Sequence, residues 1–174
     1  GGAAWARTLP YRAVRAQGAL FFLPDLVVRV FYRHFRLGAG SAPDGPLVVV
    51  ANHPNGLVDP VLVRRTAGRS LRLLAKEPLF RMPVLGWLIR GVGSLPVYRA
   101  KDGADTALNA ELFREVHASL RRGEALCLFP EGASHDEPMV QRMKTGAARM
   151  ALGATREALD AGLKFKVPFY VTPG

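Results

Sequence analysis

The sequence predicts an α/β layered domain: a largely parallel or mixed central sheet flanked by helices and preceded by an apolar N-terminal helix. Three observations carry this expectation. Short apolar runs, clearest at residues 46–51 and 125–129, have the composition of strands buried on both faces. Stretches of helical periodicity lie between such runs, so the two kinds of element alternate along the chain. The length of 174 residues is that of one domain with room for a sizeable core.

Taken in order, residues 19–36 come first and are strongly apolar. Asp25, Arg29, Arg33 and Arg36 recur there at helical spacing and would form one narrow polar stripe on an apolar cylinder. These charges argue against a plain transmembrane span, which needs about 20 apolar residues. The helix either packs on the domain core or lies in a membrane interface with its basic stripe toward lipid headgroups. Residues 38–46 (Gly-Ala-Gly-Ser-Ala-Pro-Asp-Gly-Pro) are a turn-rich connector. The chain therefore divides into an N-terminal helical segment and linker, 1–45, and a domain, 46–174. That domain is expected to be cut short at its C-terminus, as part of a longer protein.

Within the domain, strands are expected at 46–51, 71–75, 95–99, 125–129 and 165–171. Helices are expected at 57–65, 79–90, 106–122 and 144–163. The helix at 106–122 is the clearest, because Leu108, Leu112, Val116 and Leu120 share a face and Gly123 stops it. The last helix is expected despite Gly146, Gly153 and Gly162.

Hydrophobic residues make up 49% of the chain and charged residues 22%, as in ordinary globular proteins, but the net charge is +10. Such a balance favours anions: phosphorylated small molecules, an anionic lipid surface or nucleic acid. No recognition motif or aromatic-basic platform supports nucleic acid. The single cysteine, Cys127, excludes an internal disulfide and a multi-cysteine metal site, and its apolar run marks it as an inert core residue.

The chemistry concentrates at strand exits, where ligand sites of α/β sheets gather. His53 follows the first strand, then come Pro54-Asn55-Gly56 and, six positions after His53, Asp59. On a regular helix that spacing would put the pair on different faces, so the turn must break regularity. Asn55 and Gly56 are the residues best suited to do so. Taken alone, the stretch fits two readings equally: a general base oriented by a carboxylate, or a structural histidine with Asp59 as a helix N-terminal charge. A second exit, Phe129-Pro130-Glu131-Gly132-Ala133-Ser134-His135-Asp136, adds another polar concavity, although Glu131 could equally be a helix-capping acid. His135 and Asp136 make a poor metal pair, since adjacent residues chelate badly and no third ligand is evident, so no metal is expected. Lys76 and Arg99 end two further strands and could form a phosphate cradle with Lys144 as a third cation. There is no P-loop, no complete dinucleotide fingerprint and no Gly-x-Ser-x-Gly elbow. A base without a protein nucleophile beside it would act directly on a substrate hydroxyl.

These residues resemble the motifs of the glycerolipid acyltransferases, the lysophosphatidate acyltransferase-like superfamily. Asn52-His53 through Asp59-Pro60 resembles the first motif, His-x4-Asp. Lys76-Glu77-Pro78-Leu79-Phe80 with Pro83, Gly86-Trp87 and residues 93–99 resembles the second block. Phe129-Pro130-Glu131-Gly132 resembles the third, and Val167-Pro168-Phe169-Tyr170-Val171-Thr172-Pro173 the fourth. Two departures stand out: five residues, not four, separate His53 from Asp59, and Ala133-Ser134-His135-Asp136 replaces the usual Thr-Arg-Ser. Together with Lys144-Thr145-Gly146-Ala147, they resemble the branch of fungal-type glycerol-3-phosphate and dihydroxyacetone-phosphate acyltransferases.

The resemblance implies an acyltransferase of phospholipid biosynthesis, in which His53 and Asp59 form the catalytic pair. It implies that Glu131 and Gly132 help shape the acceptor site; with them, the strand-exit cations Lys76, Arg99 and Lys144 and the loop residue Ser134 are the expected substrate-binding residues. The acyl donor would be a thioester of coenzyme A or acyl carrier protein, acting as co-substrate with no further cofactor. The acceptor would be glycerol 3-phosphate or lysophosphatidate. A membrane-associated location at the cytoplasmic face is expected. The alternative is a non-catalytic domain binding an anionic membrane surface.

Overall fold

The computed structural model describes residues 17–31, 42–53, 55–56, 58–103, 105–132, 142–160, 162 and 169–172. Five strands, β1 (Leu47–Ala51), β2 (Arg72–Lys76), β3 (Leu95–Val97), β4 (Ala125–Leu128) and β5 (Phe169–Thr172), form one sheet in the order β3-β2-β4-β1-β5. Every pairing in it is parallel. The described helices are α1 (Gln17–Phe31), α2 (Asp59–Ala67), α3 (Pro83–Gly91), α4 (Asn109–Arg121) and α5 (Gly146–Asp160).

The chain runs β1 to β2 to β3 in one direction, then returns to insert β4 between β2 and β1 and to place β5 outside β1. Right-handed crossovers put connections made in opposite directions on opposite faces of a parallel sheet. Both faces are accordingly covered. On one, Leu47, Val49, Ala51, Leu73, Ala125 and Cys127 pack with Val28 of α1, Val61, Val63 and Ala67 of α2, and Val92 after α3. On the other, Val48, Val50, Leu74, Leu126 and Leu128 pack with Leu112, Val116 and Leu120 of α4 and with Ala147, Met150, Ala151 and Ala154 of α5. Successive residues of β1 and β4 thus serve opposite layers, which is why these runs are apolar throughout. Burial pushes the Cys127 thiol up to about 12, so it stays protonated inside the sheet.

Two expected helices are divided. The segment at 79–90 splits into a 3₁₀ turn, Glu77–Arg81, and α3, with Met82 extended between them. Pro83 causes the break: it biases the preceding residue toward extended backbone and suits the first helical position. Ahead of α4 a 3₁₀ turn, Thr106–Leu108, is capped by the Asp105 carboxylate, which accepts from the Ala107 N–H at 2.8 Å. Gly153 within α5 has a packing reason. A Cβ there would lie 2.8 Å from the His117 ring of α4, so glycine lets the two helices close together.

The apolar helix expected over residues 19–36 is not shown over that span. The helix described is α1, which contains Pro24, and residues 32–36, with Arg33 and Arg36, lie outside the described residues. Asp25 keeps its partner at helical spacing, lying 3.9 Å from Arg29. It accepts from Arg65 of α2 at 2.9 Å, and Val28 is buried in the core, so α1 belongs to the domain's own helical layer. No helix among the described residues is long and apolar enough to cross a membrane.

Beneath the sheet, at the amino end of β2, Arg72 is buried. Its Nε donates to the Gly93 carbonyl at 2.9 Å, and its Nη1 donates to Glu115 at 2.9 Å and to Glu124 at 3.0 Å. Arg122 donates to the same two carboxylates, at 3.0 and 2.7 Å. Burial alone pushes the Glu115 carboxyl up, but the hydrogen bonds and charges of Arg72 and Arg122 together outweigh it and hold the carboxyl below its ordinary value. A depressed folded pKa stabilises fully above the unfolded value, and that stabilisation is lost as pH falls through the folded value. Glu115→Gln is therefore expected to lower the urea midpoint near neutral pH and to converge with wild type in acid below the folded pKa. An equal deficit at both pH values would refute this linkage.

Candidate active site

β1 and β4 are neighbours, yet β1 leads into α2 on one face and β4 leads toward α5 on the other. Their carboxyl ends therefore open a crevice, the switch point where α/β sheets bind ligands. His53 leaves β1 on one side of it, and residues Phe129 to Gly132 leave β4 on the other.

Asn55 closes the turn after His53 by hydrogen bonding. Its carbonyl accepts from the Asp59 N–H at 3.2 Å, and its side-chain oxygen accepts from the Val58 N–H at 3.2 Å. The helical path thus starts one turn ahead of α2. Helical side chains lean toward the N-terminus, so the Asp59 carboxylate reaches back over the turn. Its Oδ2 accepts from the Asn55 N–H at 2.7 Å and lies 3.0 Å from His53 Nδ1. Spacing on a regular helix does not apply to this pair, because His53 stands before the helical turn. Both side chains are mostly buried, with 15% and 12% of their surface exposed. With Nδ1–H directed at Asp59, Nε2 carries the lone pair, which is the state a general base needs.

The second wall is the turn after β4. Gly132 N–H donates to the Phe129 carbonyl at 3.1 Å, and Gly132 has φ +71°, a conformation that favours glycine. Glu131 is buried, and its Oε2 accepts from the His53 N–H at 3.3 Å, tying the two walls together. The Phe129 ring stacks on His53 with centroids 3.9 Å apart and planes 11° apart. Arg99 Nη1 donates to the Gly132 carbonyl, and its Nε pairs with Asp102 at 2.5 Å. Lys144 N–H donates to the Pro130 carbonyl at 2.9 Å. Its Nζ sits where a side chain at position 132 would begin.

The structure thus brings His53, Asp59, Glu131, Gly132, Arg99 and Lys144 into one connected group. Lys76 ends β2 at the same sheet edge and is exposed. Ser134, His135 and Asp136 lie outside the described residues. Among the described residues no group of three His, Cys, Asp or Glu side chains is placed to hold a metal. Sequence reasoning missed Phe129 as a partner of His53. The signal was parity: Val49 is in register with Cys127, and the same alternation carried past both strands puts His53 and Phe129 on the α2 side.

Residues 34–172 match the model of the acyltransferase family. The chain belongs to the acyltransferase family. It is 26% identical over 123 residues to a chloroplastic 1-acyl-sn-glycerol-3-phosphate acyltransferase, LPAT1, of Arabidopsis thaliana, a match covering 70% of this chain and 33% of that one. It is 42% identical over 59 residues to glycerol-3-phosphate O-acyltransferase 2 of Saccharomyces cerevisiae, covering 34% of this chain and 8% of that one. Its fold is similar to the crystal structure of the 1-acyl-sn-glycerophosphate acyltransferase PlsC of Thermotoga maritima, with a TM-score of 0.58 and 22% identity over 81% of this chain and 53% of that one. The chain spans about a third of the length of the curated relatives that match most of it, 34% and 33%.

In this acyltransferase domain Gly132 meets two demands, a positive φ and room for the Lys144 ammonium. Gly132→Ala is expected to cost about 1–2 kcal/mol for the left-handed conformation and to displace Lys144. Urea denaturation measures the first effect and acyl transfer the second. A variant with unchanged stability and activity would remove the Gly132–Lys144 contact from the site.

Proposed function

We propose that this domain transfers a fatty acyl group from a thioester of coenzyme A or acyl carrier protein to a hydroxyl of glycerol 3-phosphate or lysophosphatidate. The observation that carries this reading is the 3.0 Å contact between His53 Nδ1 and Asp59 at the crevice mouth. Family membership and relatives named for both acceptor classes support it.

In the proposed reaction His53 Nε2 takes the proton of the acceptor hydroxyl as its oxygen attacks the thioester carbonyl. Asp59 stays ionised and stabilises the imidazolium. The tetrahedral intermediate collapses by breaking the C–S bond, and the leaving thiolate takes the proton from His53, giving an ester and a free thiol. The scheme needs no metal and no cofactor beyond the thioester. Lys76, Arg99 and Lys144 supply positive charge for the acceptor phosphate, while Glu131, Gly132 and Ser134 shape its site. General base catalysis of this kind contributes about 10²–10⁴ in rate. His53→Ala should lose that much kcat with labelled acyl-CoA while keeping its thermal melting point, and full activity would overturn the mechanism. A screen of both acceptors, with dihydroxyacetone phosphate as a third, identifies the one used.

We place the protein at a membrane surface on the cytoplasmic side. Phe22, Leu26, Val30 and Phe31 of α1 are exposed, and so are Met82, Val84 (80%) and Trp87 (63%) at the start of α3. Exposed apolar groups with Trp among them suit an interface; Arg29 and Arg81 beside them are ion-paired with Asp25 and Glu77, so the apolar groups carry this reading. A Val84→Ser, Trp87→Ser double variant should float less with anionic vesicles and keep wild-type transfer to glycerol 3-phosphate. Unchanged flotation would exclude this surface. Flotation in a chain lacking measurable transfer to any acceptor would favour the non-catalytic membrane-binding reading.

A further inference from the structure

We propose that Phe129 is a positioning residue that sets the plane of His53 and stabilises its protonated form, an inference that rests on His53 acting as the base. The Asp59 contact fixes one edge of the imidazole but leaves the ring free to rock about the Nδ1···Oδ2 line. The Phe129 ring lies flat on the imidazole, 3.9 Å away and within 11° of parallel, and blocks that motion on one side. Phe129 is itself held. It packs against the core cluster that includes Leu47, Val49, Ala51 and Cys127, and its carbonyl accepts from Gly132 N–H in the turn that carries Glu131. The base is therefore clamped from three directions: Asp59 on Nδ1, Glu131 on its backbone N–H, and Phe129 on its face.

The stack also has an electrostatic consequence. A cation facing an aromatic ring is attracted by the negative π face, whereas neutral imidazole gains much less. The ring keeps water from one face of the imidazole, which strengthens the hydrogen bond to Asp59. Both effects grow as the proton arrives on Nε2, so they appear in the transition state and not in substrate binding. In this proposal Phe129 acts through His53, so its removal should lower kcat and leave KM nearly unchanged.

The test compares Phe129→Leu, which keeps apolar bulk but loses the flat face, with Phe129→Tyr, which keeps the face. If the leucine variant fails to fold, Phe129→Met takes its place. Loss of the face should lower kcat about tenfold with KM within about twofold, and the tyrosine variant should retain most of the wild-type kcat at a similar urea midpoint. Proton NMR gives a readout independent of turnover. The His53 ring resonances, assigned by their loss in His53→Ala, should be shifted upfield by the stacked ring in wild type and in Phe129→Tyr, and should relax downfield in Phe129→Leu. Wild-type kcat in Phe129→Leu beside an inactive His53→Ala overturns this proposal alone. So does a tyrosine variant as slow as leucine, or the absence of the upfield shift. Full activity in His53→Ala overturns the general-base reading, and this proposal with it.

Discussion

Insertion of β4 between β2 and β1 is the constraint on which the rest of the site depends. A parallel sheet buried on both faces needs helices on both, and a chain that reverses direction across the sheet supplies them by right-handed crossovers. The reversal makes neighbours of two strands whose following segments leave toward opposite layers. The crevice between their carboxyl ends is therefore a consequence of packing, and the His53 turn and the Glu131–Gly132 turn are the two loops that border it. The register that pairs Val49 with Cys127 then sets which residues of the two turns meet.

Within the crevice, hydrogen bonds rather than unusual backbone angles hold the candidate base. Asn55 uses its N–H, its carbonyl and its side-chain oxygen in one short turn, and Asp59 Oδ2 receives both the Asn55 N–H and the His53 ring. An almost dry carboxylate with two such partners has little freedom to reorient. Across the crevice Arg99 and Lys144 grip the turn of Glu131 and Gly132 from different sides. Part of the +10 charge is therefore concentrated where an anionic acceptor would arrive, and part of it braces the loop that would receive it.

The two ends of the sheet use charge differently. At the amino end, Arg72 is enclosed by Glu115, Glu124 and the Gly93 carbonyl, so its charge is compensated inside the protein. At the carboxyl end, Lys76 is exposed and the His53–Asp59 pair keeps a small accessible surface. Buried compensation suits a fixed scaffold, and accessible polar groups suit exchange with a ligand. The exposed apolar residues of α1 and of the start of α3 lie outside both regions, on the face that α1, α2 and α3 cover.

The sequence by itself determined the layered α/β class and the approximate place of each strand in the described residues, and it pointed to the strand exits as a candidate site with His53, Asp59 and Glu131 among its candidates. Those properties are local: apolar runs, helical periodicity and turn residues act over a few positions. Local patterns also explain the errors, since the effect of Pro83 on the backbone before it divides a segment whose periodicity reads as one helix. Tertiary structure alone decided that the β1 and β4 exits adjoin, that Phe129 stacks on His53, that Arg99 braces Gly132 and that Lys144 occupies the space above that glycine. It also joined Asp25 of α1 to Arg65 of α2. Each of these depends on strand order and register between segments far apart in the chain. Such choices are settled by the packing of both faces at once, which periodicity along a single segment does not encode.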